Sequence, residues 1–184
     1  MMACALVLAI ATWLGTPAAA ADPTVRVFAI RGVAGLLFSR GMNALCDELA
    51  EFASVTCTVA DFTEVAAIRS QARAASAAGA HVVLVGHSMG ADAAIEIAAE
   101  IAGPVAVVAA IDPPRFRDRP VPDNVAVVLN YYQRIDFFGR GEVSTVAGFK
   151  GRVMRVERDE PHILIDRDPE IHAAIIAEIV NLLQ

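Results

Sequence analysis

From Asp22 onward the chain alternates short β-branched runs with longer alanine-rich stretches of helical period, and this alternation constrains the fold more than any other feature. A strand covered on both faces reads as an unbroken apolar run, and strands joined through helices can lie parallel. The apolar runs are VRVFAI (25–30), VTCTV (55–59), HVVLVG (81–86), PVAVVAAI (104–111), NVAVVLNYY (124–132) and RVMRVE (152–157). Helical period is predicted for about 42–52, 65–77, 91–102 and 169–183, the last with Ile171, Ile175, Ile179 and Leu182 as its inner stripe and Asp168 and Pro169 as its start signals. The expectation is a three-layer α/β/α domain around a mostly parallel sheet of six strands. Residues 112–123, with four prolines, read as a rigid loop, and the glycine-rich residues 133–151 as a loop with room for a short hairpin.

The first twenty residues, MMACALVLAIATWLGTPAAA, are of another kind: an apolar stretch over 3–14, then Gly15 and Pro17, then alanines at 18–21. This is the pattern of a secretory signal, with an apolar run short for a bilayer span. Residues 1–21 are therefore expected to be a signal peptide cut next to Ala20 or Ala21, leaving 22–184 as one domain in an exported protein, periplasmic or secreted. No Lys or Arg precedes the apolar run, so a retained amino-terminal anchor is the alternative, and membrane contact is expected only in that case. A chain of 184 residues that is 56% hydrophobic can bury one core but is too short for two. Its net charge of -6, without a basic run, argues against capture of nucleic acid and leaves a small molecule as the expected partner. The oligomeric state is not legible. Of three cysteines Cys4 lies in the leader; Cys46 and Cys57 form either a disulfide or two separately buried thiols, and neither has the spacing of a metal ligand.

The pentapeptide GHSMG (86–90) is a Gly-x-Ser-x-Gly sequence set between the most continuous buried-strand run, HVVLVG, and ADAAIEIAAEIA, whose composition favours a helix. A sharp strand-to-helix turn forces strained dihedrals on the serine, and glycine two residues to either side lets the neighbouring backbones pass. Ser88 would then stand exposed at the carboxyl edge of the sheet. The NH of Met89, at the positive end of the following helix, would face any oxyanion formed there. A tight Gly-Ser turn without chemistry is the plainer reading of the same residues.

In this setting VGHSMGA (85–91) resembles the nucleophile elbow of the α/β-hydrolase superfamily, particularly its lipase and thioesterase-like members. The resemblance spans the mature chain and implies a minimal α/β-hydrolase fold beginning at the family's third strand. It implies the chain order serine, acid, histidine, met by Ser88, then Asp112 or Asp136, then His162 in DEPHILID (159–166). Asp112, followed by Pro113 and Pro114, resembles the Asp-Pro that supplies the acid in some lipases; Asp136 fits the commoner placement, and both stay open. Among the other histidines, His81 opens its strand at the far end, His87 is the variable residue of the pentapeptide, and His172 is expected to face partly outward from the terminal helix. The second oxyanion donor is expected from the loop after the first strand, at Val33, where the family commonly has His-Gly and this chain has Arg31-Gly32. Arg31 either pairs with a nearby carboxylate or draws an acidic substrate group.

The implied activity is that of a serine hydrolase acting on an ester or thioester through an acyl-enzyme on Ser88, with neither metal nor organic cofactor. No zinc-type spacing, phosphate loop or dinucleotide fingerprint is present in the sequence. Without an insertion long enough for a helical lid, the site is expected to be open and bordered by Leu36, Leu37, Phe38, residues 113–116 including Phe116, and Phe137 with Phe138. These suggest an acyl substrate, with Leu36, Phe38 and Phe116 as binding residues. A binding protein of the cell envelope built on the same frame, with lapsed chemistry, is the rival class.

Overall fold

The computed structural model of the chain describes residues 24–115, 117–133 and 141–184. Each apolar run becomes a strand: β1 (Val25–Arg31), β2 (Val55–Asp61), β3 (His81–His87), β4 (Val105–Ile111), β5 (Val125–Tyr132) and β6 (Arg152–Glu157). Neighbours pair in the order β2-β1-β3-β4-β5-β6, every pair parallel, so the sheet expected to be mostly parallel has no antiparallel member among the described residues. The helices are α1 (Gly35–Phe38), α2 (Gly41–Leu49), α3 (Val65–Ala77), α4 (Met89–Glu100) and α5 (Pro169–Asn181).

Alternation along each strand divides its side chains between two cores. Phe28, Leu84, Val108 and Val128 join Ile68 and Ala72 of α3 and Ala94, Ile95 and Ala98 of α4 in one cluster. Val27, Val83, Val107 and Leu129, on the opposite face, join Leu45 of α2 and Ile171, Ile175 and Ile179 of α5 in the other. The result is the three-layer α/β/α arrangement. Small residues let α4 lie close on the sheet, with Ala91, Ala94 and Ala98 wholly buried. Helix α5 starts at the predicted signals: the Asp168 side chain accepts the Glu170 NH at 2.8 Å, and Pro169 fills the first helical position, where no NH is needed.

Cys46 of α2 and Cys57 of β2 are joined in a disulfide, Cα–Cα 5.3 Å, which settles the alternatives left by the sequence. Between β5 and β6 the described residues form no hairpin; an isolated parallel bridge joins Val121 to Thr145. No helix among the described residues is long and apolar enough to cross a membrane. The expected signal segment, 1–21, lies outside the described residues.

The strand order turns back once. From β1 the chain moves outward to β2, and from β3 it proceeds the other way through β4, β5 and β6. Connections therefore leave the carboxyl ends of β1 and β3 in opposite directions, and the crevice between them is where open α/β sheets hold their ligands. The predicted elbow is at the end of β3 and the predicted oxyanion loop at the end of β1, so both open onto that crevice.

Candidate active site

Ser88 occupies the junction of β3 and α4 with φ 56° and ψ −124°, a conformation that non-glycine residues rarely adopt. It is held from both sides: its NH donates to Ile111 O at 2.9 Å, and its carbonyl accepts the Ala91 NH at 2.9 Å. The flanking glycines answer to contact. A Cβ on Gly86 would lie 2.1 Å from Gly90 O, and one on Gly90 would lie 2.1 Å from Ile30 O of β1. The pentapeptide thus has glycine where the helix crosses its own strand and where it crosses the neighbouring one.

His162 follows β6 and brings its ring over Ser88. Its Nδ1 is 2.6 Å from Asp112 Oδ2, and its Nε2 is 3.1 Å from Ser88 Oγ. Asp112 terminates β4, is wholly buried, and anchors its NH on Tyr131 O at 2.7 Å. An ionised carboxylate only accepts hydrogen bonds, so Nδ1 carries the proton and donates to Asp112, leaving Nε2 bare to accept the serine hydroxyl. Of the three non-glycine residues with positive φ among those described, two are Ser88 and Asp112 (φ 43°), and the third is Ala34 (φ 50°) in the loop after β1. Backbone strain is thereby concentrated at one edge of the sheet, around one serine.

A cavity of about 410 Å³ opens at Ser88, lined by Val33, Phe38, Met89, Pro114, His162 and Ile163 among others. Met89 begins α4, where backbone NH groups lack intrahelical acceptors. Val33 lines the same cavity, and Gly32 is pressed against Ser88 so closely that a Cβ there would be 2.8 Å from the serine Cβ. Phe38 borders this cavity; Leu36 instead borders a shallow depression beside it with Asp61 and Phe62. Phe116, Asp136, Phe137 and Phe138 lie outside the described residues. Arg31 pairs with a carboxylate, its Nε 3.1 Å from Asp61 Oδ1 at the end of β2.

His81 opens β3 at the edge opposite Ser88, as expected. His172 corrects the reading made of it. Instead of facing outward it is 3% exposed, with Nδ1 2.9 Å from Glu48 Oε1 and Nε2 2.8 Å from Asp166 O. The reason is that α5 buries a stripe wide enough to include the position after Ile171, where α2 offers a carboxylate and the preceding turn a carbonyl. His87 and Ser39 were not singled out by the sequence, yet both reach the site: Ser39 Oγ is 2.8 Å from His87 Nδ1, and His87 Nε2 is 2.8 Å from His162 O. The period-2 pattern of β3 puts His87 on the same face as Val83 and Val85, which was legible; the partner 48 residues away was not.

Among the described residues no group of three or more His, Cys, Asp or Glu side chains is placed to hold a metal ion. The parallel strand order, the single reversal and the strained serine at a strand-helix junction define the class as a three-layer α/β/α fold with an open parallel sheet and a sharp strand-to-helix turn at Ser88. No protein-family model and no curated protein matches the chain. Among solved structures it is similar to a protein from Xanthomonas campestris pv. campestris described as a hydrolase of the alpha/beta superfamily: 18% identity, 87% of this chain and 98% of that chain covered, TM-score 0.48. It is similar also to an acetyl xylan esterase, at 14% identity with 89% of this chain and 100% of that chain covered and a TM-score of 0.49.

Proposed function

We propose that the chain is a serine hydrolase that transfers an acyl group from an ester or thioester to water through an acyl-enzyme on Ser88. The observation that carries this reading is the unbroken line of hydrogen bonds from Asp112 through His162 to Ser88 at the mouth of an apolar cavity. A serine hydroxyl is a poor nucleophile at its ordinary pKa, and a neutral imidazole accepting its proton removes that obstacle. In the proposed sequence Ser88 Oγ attacks the carbonyl carbon and its proton passes to His162 Nε2. The imidazolium so formed is stabilised by the buried Asp112 carboxylate. The alkoxide or thiolate then leaves with that proton, and water repeats the attack with His162 again as base. The NH groups of Met89 and Val33 are the proposed oxyanion donors.

The substrate class is proposed from the rim. The large apolar residues most exposed among those described are Val33, Leu36, Leu37, Phe38, Ile163 and Leu164, all on the two loops that flank the cavity. Loops that present apolar side chains to solvent around a serine favour an acyl chain over a sugar or a charged group. Export, with residues 1–21 as a cleaved signal, is part of the same proposal, and the Cys46–Cys57 disulfide supports it, since such bonds persist in oxidising compartments.

A fluorophosphonate probe tests the chemistry. The protein is expected to form one adduct, mapped by peptide mass spectrometry to Ser88 and lost in Ser88→Ala; a folded protein that stays unlabelled would instead be a binding protein on this frame. Rates over a series of short to long acyl esters, thioesters and amides give the class. Phe38→Ala should raise KM for long-chain esters about tenfold while leaving acetyl esters nearly unchanged, because burying the ring against an acyl chain is worth on the order of 1–2 kcal/mol. Equal losses on both would place Phe38 outside the acyl site.

A further inference from the structure

We infer that His87 and Ser39 act as a positioning pair, fixing the His162 turn and the loop after β1 in one register about Ser88; the inference rests on the reading of Ser88 as nucleophile. The two loops are 130 residues apart in the chain, and a line of hydrogen bonds, buried at Ser39 and half-buried where it reaches His162, joins them. At one end the Gly32 NH donates to Ser39 Oγ at 3.1 Å. At the other, His87 Nε2 lies 2.8 Å from His162 O. A carbonyl can only accept, so Nε2 carries the proton, and Nδ1 is left bare to accept the Ser39 hydroxyl at 2.8 Å. A donor-only group closes one end and an acceptor-only group the other, so a single proton arrangement satisfies every member.

What the line holds is chemically pointed. Gly32 immediately precedes Val33, a proposed oxyanion donor, and abuts Ser88. His162 is gripped twice, its ring by Asp112 and its backbone carbonyl by His87, which leaves the imidazole little freedom to turn away from the serine. The two imidazoles lie with centroids 4.9 Å apart, yet His87 does not compete as a base, because both its nitrogens are engaged away from Ser88. Burial first, and the neighbouring His162 next, push His87 down to about 3, so it keeps this neutral tautomer while His162 cycles. Ser39 and His87 are each 1% exposed, so water does not compete for the bond between them.

The experiment compares His87→Phe, His87→Gln, Ser39→Ala and the double variant Ser39→Ala/His87→Phe in the full chain, assayed well below each melting temperature. His87→Phe should lower kcat about 100-fold with KM within about threefold, the signature of misplaced groups rather than a lost binding contact. His87→Gln, which can still donate an NH toward His162 O, should recover most of that loss. Ser39→Ala should cost about tenfold, and the double variant no more than His87→Phe alone, since members of one relay are not additive. Hydrogen exchange gives a readout free of catalysis: residues 32–38 and 162–165 should exchange faster together in His87→Phe, and 32–38 in Ser39→Ala. A folded His87→Phe with kcat within threefold of the parent and unchanged exchange in both segments overturns the inference, as do independent losses that multiply in the double variant. If His87→Phe does not fold, Ser39→Ala and His87→Gln carry the same comparison. Absence of probe labelling at Ser88 in the parent protein would sink the hydrolase reading alone, with the exchange data still deciding whether the pair holds the two loops.

Discussion

At Asp112 backbone and side chain serve one end. The residue takes φ 43° to turn the chain off β4, and that turn delivers a wholly buried carboxylate to the far nitrogen of His162. Its Oδ1 has no hydrogen-bond partner among the described residues, so the imidazole is the chief group that the charge faces. Asp112→Asn keeps the shape but offers the wrong hydrogen-bond partner, stabilising the tautomer with the proton on Nε2. Expected is a fall in kcat of about 10³–10⁴-fold with the melting temperature little changed, read by steady-state kinetics on an activated ester; a loss under tenfold would return the acid role to Asp136. His87 supplies a prediction of another kind. Its folded pKa is near 3 because of burial first, then the charges of His162 and Arg167, against 6.5 in the unfolded chain. Between those values the unfolded chain binds a proton that the folded chain does not, so stability is lost as pH falls from 6.5 toward 3. His87→Gln removes that cost. From pH 7 to pH 4.5 its unfolding free energy should therefore fall by on the order of 2–3 kcal/mol less than that of the parent, measured by chemical denaturation. Asp166, raised by burial to about 6, works in the opposite direction but is common to both proteins and cancels in the difference. Parallel pH profiles would contradict this account.

The elbow is the element in which sequence and structure are most tightly tied. Helix α4 begins so close to β1 that a Cβ at Gly90 would meet the carbonyl oxygen of Ile30, and β1 cannot retreat because it is paired to β2 and β3 along both edges and backed by α2 on its other face. Gly90→Ala should cost about 3 kcal/mol or more, whereas Gly79→Ala, at φ 82° in open space, should cost only about 1 kcal/mol from its dihedral alone. Denaturation midpoints of the two variants check the contrast, and equal costs would mean that dihedral preference, not contact, sets the glycine. Elements of this length were legible because their periods are long enough to see: Val65–Ala77 and Arg152–Glu157 fall where the apolar pattern puts them. The one-turn helix α1 and the 3-10 turns at Phe62–Glu64 and Ile165–Arg167 were not, since three or four residues carry no period. Ser88 was legible for a like reason, its signal being local. The choice between Asp112 and Asp136 was not, because both follow the carboxyl ends of neighbouring strands in the sequence; the fold sets Asp112 beside the His162 ring, while Asp136 lies outside the described residues. His87 was passed over because its meaning lies in Ser39, which only the closed fold brings to it.

At the scale of the molecule the site is a meeting of chain ends: the loops after β1, β3, β4 and β6 supply the Gly32 turn, Ser88, Asp112 and His162. The partners that bring these groups together come from distant parts of the sequence, so the site exists only as well as the sheet does. The centre of that sheet is secure, with β3 and β4 buried on both faces. Strand β2 at the edge is mostly half-buried and pairs on one side only, and here the Cys46–Cys57 bond ties it to α2. The cysteines are 11 residues apart, and closing a loop of that length in the unfolded chain is worth about 3 kcal/mol. Against the total of about 5–15 kcal/mol typical of a domain, that is a large share to invest at one edge. The Cys46→Ala/Cys57→Ala variant should lose about 3 kcal/mol of unfolding free energy, and reductant should move the parent protein by the same amount and leave the variant unmoved. Native-state hydrogen exchange should locate part of the change: α2 and β2 should open at lower free energy than β3 and β4, whose protection follows global unfolding. Because α2 follows directly on the loop that carries Gly32 and Ser39, opening of this edge should lower activity before the molecule unfolds, so hydrolysis in moderate urea should fail earlier in the reduced protein than its fluorescence-detected unfolding. Coincident midpoints for activity and unfolding would mean that the disulfide stabilises the sheet as a whole and has no separate hold on the site.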